Sequence, residues 1–314
     1  MRYAGTALAF RQHYIMPIAL RVPRPRLAAF TVLATVVACT AGSASAQDAP
    51  APVPPSPEVE LNLINLPTTM SLKPHQSYFR LTHRFARDLR RGDFGSLVED
   101  LFSLDNGAII GLEYRFAFTS DLQAGVHRSL LSKTIQMFGR YDGWQQGDRL
   151  PLSISVLASI EGLNNFQDNY QPAVGGVLSR RVGGAAVLYL TPAFVANTRA
   201  ADFLTGHDDH DHGIDEEGPE EPADEHADHE HTMLVGFGGR FRLRPSVFVA
   251  AEYAPRVAGH DPGRGTWGVA IEKKTGGHTL QMNVTNSFGT TFGQLARGGS
   301  DHDIYLGFNL TRRF

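Results

Sequence analysis

Residues 207–231, HDDHDHGIDEEGPEEPADEHADHEH, hold six of the chain's thirteen histidines and twelve acids, with no Lys, Arg or aromatic residue. The stretch contains a repeat: His207-x-x-His210-x-His212 recurs as His226-x-x-His229-x-His231. In an extended segment, side chains two apart point the same way, so each triad can bend two or three imidazoles onto one ion. Imidazole suits Zn2+, Cu2+ or Ni2+, and Asp208, Asp211, Asp228 and Glu230 add oxygen donors and attractive charge. An EF-hand frame set on Asp208 places Gly213 correctly but puts His at its third and fifth positions and Pro219 at its twelfth, which disfavours calcium. Gly218, Pro219 and Pro222 interrupt any helix, and little but Ile214 could anchor the segment. The sequence therefore predicts a disordered loop over 198–232 that a metal must itself order, with low to moderate affinity. No resident cofactor is required. A hydrophilic surface loop without a selected ligand is the competing reading.

What the loop hangs from comes next. The chain has 29 basic and 32 acidic residues, yet 198–232 alone carries 13 acids and one base. The acidity is therefore one distinct local feature, and nucleic acid is not an expected partner. Residues 1–46 contain five Arg and no acid; a short apolar run follows Arg21, Arg24 and Arg26 and ends at Ala44-Ser45-Ala46. That is the form of a secretory signal peptide over 1–46, and the run is too short for a spanning helix. Val36-Val37-Ala38-Cys39 is similar to a lipoprotein box, which would place lipid on Cys39. Residues 47–57 are Pro-rich and read as an extended tether, so 47–72 is expected to be a periplasmic segment, with 58–72 free to enter a lumen.

From residue 73 onward the apolar residues alternate in segments of about ten, the weak signature of a membrane β-barrel. Twelve such segments are legible: 76–86, 107–118, 121–130, 133–144, 151–162, 171–182, 185–197, 232–244, 246–255, 265–274, 277–288 and 302–314. Short turns follow most even segments and longer links most odd ones. The predicted fold is all-β: a membrane-spanning antiparallel up-and-down barrel over 73–314, of about twelve strands, with both termini in the periplasm and the His/Asp loop outside. A soluble β-sandwich is the alternative. Phe94, Leu97, Val98, Leu101 and Phe102 have helical spacing, which predicts a short helix in the first outer loop.

The final stretch, DIYLGFNLTRRF, resembles the C-terminal strand of bacterial outer-membrane barrels, with Tyr305, Gly307, Leu310 and Phe314 in matching places and Arg312 departing from the usual apolar choice. That resemblance implies the barrel-assembly machinery and outer-membrane lipid as partners. His83-Arg84-Phe85, Leu104-Asp105 and the strand from Gly111 to Tyr114 resemble a family of predicted bacterial β-barrels, domain of unknown function 5777. The resemblance supplies no activity.

For catalysis the sequence offers little. His127 and Ser129 share a strand face, as a base and nucleophile must, but no Asn follows to orient the His. No phosphate loop, dinucleotide fingerprint or zinc-protease motif is present, so no enzyme is expected. Lumen-facing charges are the better candidates: Glu113, Arg115, Arg140, Glu161, Arg240 and Glu252. Lining water, they would select solutes; paired with one another, they would close a narrow barrel. The reading is a narrow channel for small solutes with a metal-capturing loop at its outer mouth. A closed barrel serving as a surface metal binder or structural protein is the alternative, and a barrel hydrolase the third.

Overall fold

Alternation along each segment turns one row of side chains inward and the other outward. The computed structural model describes residues 56–100, 107–147, 150–198, 231–259 and 264–314. Its strands are β1 (Ser77–Asp88), β2 (Ala108–Ala117), β3 (Leu122–Ser129), β4 (Ile135–Trp144), β5 (Ser153–Gly162) and β6 (Asp168–Val182). They continue with β7 (Ala186–Val195), β8 (Thr232–Arg244), β9 (Val247–Ala254), β10 (Thr266–Thr275), β11 (His278–Thr285) and β12 (Tyr305–Arg313). Beyond Pro255, β9 resumes as Arg256–Gly259, still paired to β8. Pro255 has no N–H to give the ladder, but its carbonyl still accepts from Val235 N at 3.0 Å.

Every strand pairs antiparallel with its sequence neighbours, and β1 pairs with β12. The sheet is a closed meander of twelve staves without a free edge, which excludes the sandwich. Closure matters because a spanning sheet must satisfy its backbone internally.

The outward rows are apolar. Tyr114 lies opposite Val126, Val126 opposite Met137, and Met137 opposite Ile160, forming a continuous belt. Phe118, Trp144 and Phe314 stand exposed at the short-turn end, where an aromatic girdle meets the membrane interface. No helix among the described residues is long and apolar enough to cross a membrane; the strands do the crossing.

The first outer loop carries α1 (Phe94–Glu99), shorter than the 94–104 pattern suggested. Asp93 caps it, accepting from Ser96 N and Ser96 Oγ at 2.9 Å each. These two hydrogen bonds hold its carboxyl below the usual range. Residues 101–106, including Leu104-Asp105, lie outside the described residues. β11 stops at Thr285, three residues short of the expected 288. Thr285 Oγ1 donates to Ser287 O at 2.7 Å, and the chain turns into the lumen instead of continuing the stave.

Candidate functional site

Twelve staves enclose a space that side chains alone do not fill. Here two segments fill it. From the short-turn end, residues 58–72 enter as a hairpin. Leu63 N donates to Leu66 O at 2.8 Å and Thr68 N to Leu61 O at 2.9 Å, and Asn62 bridges Pro67. Leu61, Leu63, Ile64, Leu66, Thr68 and Thr69 are all essentially inaccessible to solvent. The sequence allowed 58–72 either the lumen or the periplasmic segment 47–72; these residues lie inside the barrel.

The hairpin tip is held by one carboxylate. Glu252, on β9, accepts from the backbone N–H groups of Ile64, Asn65 and Leu66 at 3.0, 2.9 and 3.0 Å. Successive amides converging on one anion form a nest, and each charged hydrogen bond contributes about 1.5–3 kcal/mol when buried. Arginines hold the remainder. Arg240 donates to Asn62 O at 2.7 Å, and Arg140 to Met70 O at 3.0 Å. Arg84 and Arg115 donate to the side-chain oxygens of Asn65 and Asn62 at 3.0 and 3.3 Å. Arg313 donates to Val59 O at 2.8 Å, and Thr279 to Glu60 at 2.6 Å.

The same wall charges also pair with one another. Glu113 takes Arg115 on the same strand, Asp142 takes Arg140, and Glu272 takes Arg240 at 2.7 Å. Glu113, Arg115, Arg140, Glu161, Arg240 and Glu252 are all buried toward the lumen. Arg80 was not singled out in the sequence. It is 1 % exposed; Nε, Nη1 and Nη2 have no hydrogen-bond partner among the described residues, and the acid it faces, Glu113, lies at 3.6 Å. The signal that could have found it is parity: Tyr78, Arg80, Thr82 and Arg84 form one inward row of β1.

The opposite wall is apolar. Leu63, Ile64 and Leu66 pack in one core cluster with Leu157, Val177, Val187, Tyr189, Leu234 and Ala250. Three glycines make room for the hairpin tip. A methyl group on Gly238 would stand 2.3 Å from Leu63 Cδ1, on Gly236 2.6 Å from Leu66 Cδ1, and on Gly268 2.9 Å from Ile64 Cδ1.

From the long-loop end, residues 286–298 fold inward and carry α2 (Phe292–Ala296), all five of whose residues are buried. Gly293 N donates to Glu161 at 3.1 Å, Gln294 Nε2 to Thr134 Oγ1 at 3.2 Å, and Arg297 to Gln171 at 2.9 Å. Between the two inserted segments a cavity of about 40 Å3 remains, lined by Asn62, Asn65, Glu113, Arg115, His127 and Thr290 among others. That is room for a few waters.

His127 and Ser129 face this interior, not the membrane. His127 Nε2 lies 3.3 Å from Thr290 Oγ1, and Ser129 Oγ accepts from Leu131 N at 3.2 Å. Each group positions a loop, so the pair is no nucleophile with its base.

Of the expected metal ligands, His207, His210, His212, His226, His229, Asp208, Asp211, Asp228 and Glu230 lie outside the described residues. His231 stands at the described edge of that loop. Its Nδ1 accepts from Asn197 N at 3.4 Å and its ring tilts against Phe194 at 5.5 Å. Among the described residues no three His, Cys, Asp or Glu gather to hold a metal.

In the last strand Tyr305 and Gly307 face inward, Leu310 faces outward, and Phe314 lies just past the strand with its N–H on Ser77 O at 3.0 Å. The outward Arg312 lays its guanidinium over the Phe314 ring at 4.8 Å. A cation covering the terminal aromatic at the interface accounts for the departure from an apolar residue. The His-Arg-Phe signature also acquires roles. His83 stacks on Phe308 at 4.8 Å on the outer face, while Arg84 points inward to Asn309 and the hairpin.

A family model described as a membrane bound beta barrel domain (DUF5777) matches residues 60–314. No curated protein resembles the chain in sequence. Similar solved structures include a KdgM porin, 11 % identical with a TM-score of 0.44, covering 76 % of this chain and 99 % of that one. The COG4313 outer membrane channel from Pseudomonas putida F1 is 9 % identical with a TM-score of 0.41, over 78 % and 97 %. An active-site mutant of outer membrane phospholipase A from Escherichia coli is 10 % identical with a TM-score of 0.39, over 77 % and 91 %. None of these three bears on what this chain binds.

Proposed function

The chain belongs to the membrane bound beta barrel domain family, and from that premise we propose that it is a gated outer-membrane channel for small solutes. One observation carries the reading: the hairpin 58–72 is held on one side largely by side-chain bonds to its backbone and amide oxygens, over a wall that is polar enough to be wetted once it leaves. A permanent filling has no use for buried arginines. Desolvating them is costly, and apolar side chains would fill the same space better. Withdrawal toward the short-turn end, where the hairpin enters, would leave Arg84, Arg115, Arg140, Arg240 and Glu252 facing water.

The His/Asp segment joins β7 to β8 at their long-loop, outward ends, and we place divalent-metal capture there. Support comes from the repeated His-x-x-His-x-His triad and its carboxylates. Such capture would fall away below pH about 6.5, where free imidazoles protonate. The barrel-assembly machinery and outer-membrane lipid are the expected partners.

The test is planar-bilayer conductance of the mature chain, of a variant lacking 58–72, and of one lacking 207–231, each with and without zinc on the loop side. Stepwise current that rises when 58–72 is removed, and that zinc alters only when 207–231 is present, is the expected result. A folded, membrane-inserted variant without the hairpin that passes no current would sink the channel. It would leave a closed barrel whose loop binds metal at the surface.

A further inference from the structure

The hairpin touches the charged wall chiefly through oxygen. It presents carbonyl, amide or carboxylate oxygens to Arg84, Arg115, Arg140, Arg240 and Arg313, whereas Glu252 is the wall acid its N–H groups engage. Besides these five the wall carries Arg80 and, on the inward rows of β8 and β10, Arg242 and Lys274, against five acids, Glu113, Asp142, Glu161, Glu252 and Glu272. Glu58 and Glu60, which offset that surplus, belong to the hairpin itself: Glu58 accepts from Tyr189 at 3.2 Å and Glu60 from Thr279 at 2.6 Å. When the hairpin leaves, the surplus stands uncovered.

A second observation points the same way. Arg80 is 1 % exposed; beyond its ion pair with Glu113 at 3.6 Å, its three guanidinium nitrogens have no hydrogen-bond acceptor among the described residues, and neither have Arg84 Nε, Arg115 Nη1 and Arg140 Nη1. A buried guanidinium without an acceptor is costly. A row of them beside a removable segment is a set of donors awaiting oxygen that the hairpin only partly supplies. Guanidinium forks match carboxylate and phosphate oxygens in charge and geometry.

We propose that the hairpin is an internal stand-in for an anionic solute: β1–β4, β8 and β12 form a binding track for carboxylate- or phosphate-bearing molecules, which compete with 58–72 for the wall arginines and so release it. This rests on the gated-channel reading and names the solute class. A metal at the outer loop would be a separate event.

The test places a thiol where only release exposes it. Thr69 is fully buried with its hydroxyl against Ser179, so Thr69→Cys is made in the full chain together with Cys39→Ser. Maleimide labelling is followed with sodium tripolyphosphate, with sodium chloride at matched ionic strength, and with spermidine. Tripolyphosphate is expected to accelerate labelling about tenfold while the other two do not. Arg80→Gln with Arg84→Gln is expected to raise the half-effective tripolyphosphate concentration about tenfold, the loss expected for a charge-assisted contact; Arg80→Lys with Arg84→Lys restores most of it. Equal acceleration by chloride or spermidine, or none by tripolyphosphate, overturns the anion track. The barrel lacking 58–72 separates the two ideas. If it conducts with a cation-selective reversal potential, the channel survives and the track falls. If it conducts nothing, the channel falls, and the labelling result still judges the track.

Discussion

The two walls of the lumen hold the same hairpin by opposite means. Along β5–β10 the contact is apolar and close: Leu63, Ile64 and Leu66 sit against Leu157, Val187, Leu234 and the bare backbones of Gly236, Gly238 and Gly268. Along β1–β4 and β12 it is ionic and loosely satisfied, with Arg80 lacking any hydrogen-bond acceptor. The apolar wall sets where the hairpin sits, because packing is short-ranged and intolerant of added volume. The charged wall sets what can replace the hairpin, because guanidinium groups accept any suitably placed oxygen. Glu252 on β9 and Arg240 on β8, the latter paired with Glu272 on β10, stand between the two styles: charged groups on the mainly apolar side that hold the hairpin's backbone.

Several substitutions would break or sharpen this contrast. The largest effect is expected from Glu252→Ala, which strands three buried amides. The seated hairpin should lose about 3 kcal/mol or more, seen as rapid protease cleavage within 58–72 in folded barrels. An uncleaved hairpin would mean the apolar wall suffices alone. Next comes Gly238→Ala, whose methyl meets Leu63. Overpacking of this kind costs about 1–3 kcal/mol, and the readout is open-channel probability. Removing the bulk at Leu63 in the same chain should recover only part of the closure, since Leu63 Cδ1 at 2.3 Å is the nearer clash and the Ala251 carbonyl at 2.9 Å remains. Arg80→Gln alone should leave the hairpin seated, or slightly tighter, because Arg80 makes no hydrogen bond to it. A large rise in conductance from that change would contradict the division between the walls. The smallest effect lies outside both walls, at Asp93. Its carboxyl titrates below the ordinary range because Ser96 hydrogen bonds favour the charged form. The α1 cap is therefore fully effective above the unfolded carboxylate value, about 3.9, and is lost as pH falls through the lower folded value. Amide exchange in 94–99 would quicken in that acid window while lumen protection holds, and Asp93→Asn would flatten the dependence.

Much of the barrel was readable from residue order. Strand alternation placed eleven of the twelve staves within about three residues at each end, because period two is a local property. The one that departed further did so at a proline, and the early end of another marks a chain reversal. Pro255 bends β9, which runs on to Gly259, and Thr285 ends β11 where its hydroxyl takes Ser287 O. The inward charges followed from parity as well, since Glu113 and Arg115 must share a face once Leu112 and Tyr114 face lipid. Parity cannot say which inward charges meet. Arg240 pairs with Glu272 across strands β8 and β10, which touch only because β9 lies between them in a closed, sheared cylinder.

By itself, then, the sequence determined the architecture: alternation, loop lengths and a terminal aromatic strand specify a meander barrel, because each depends on neighbours along the chain. Only the tertiary structure decided that 58–72 and 286–298 enter the lumen. LNLINLPTT carries no strand period and no helical stripe. Its leucines find partners in Gly236, Gly238 and Gly268, and its amides find Glu252, more than 160 residues away along the chain. Those sockets exist only after the cylinder closes, and so no local pattern announces them.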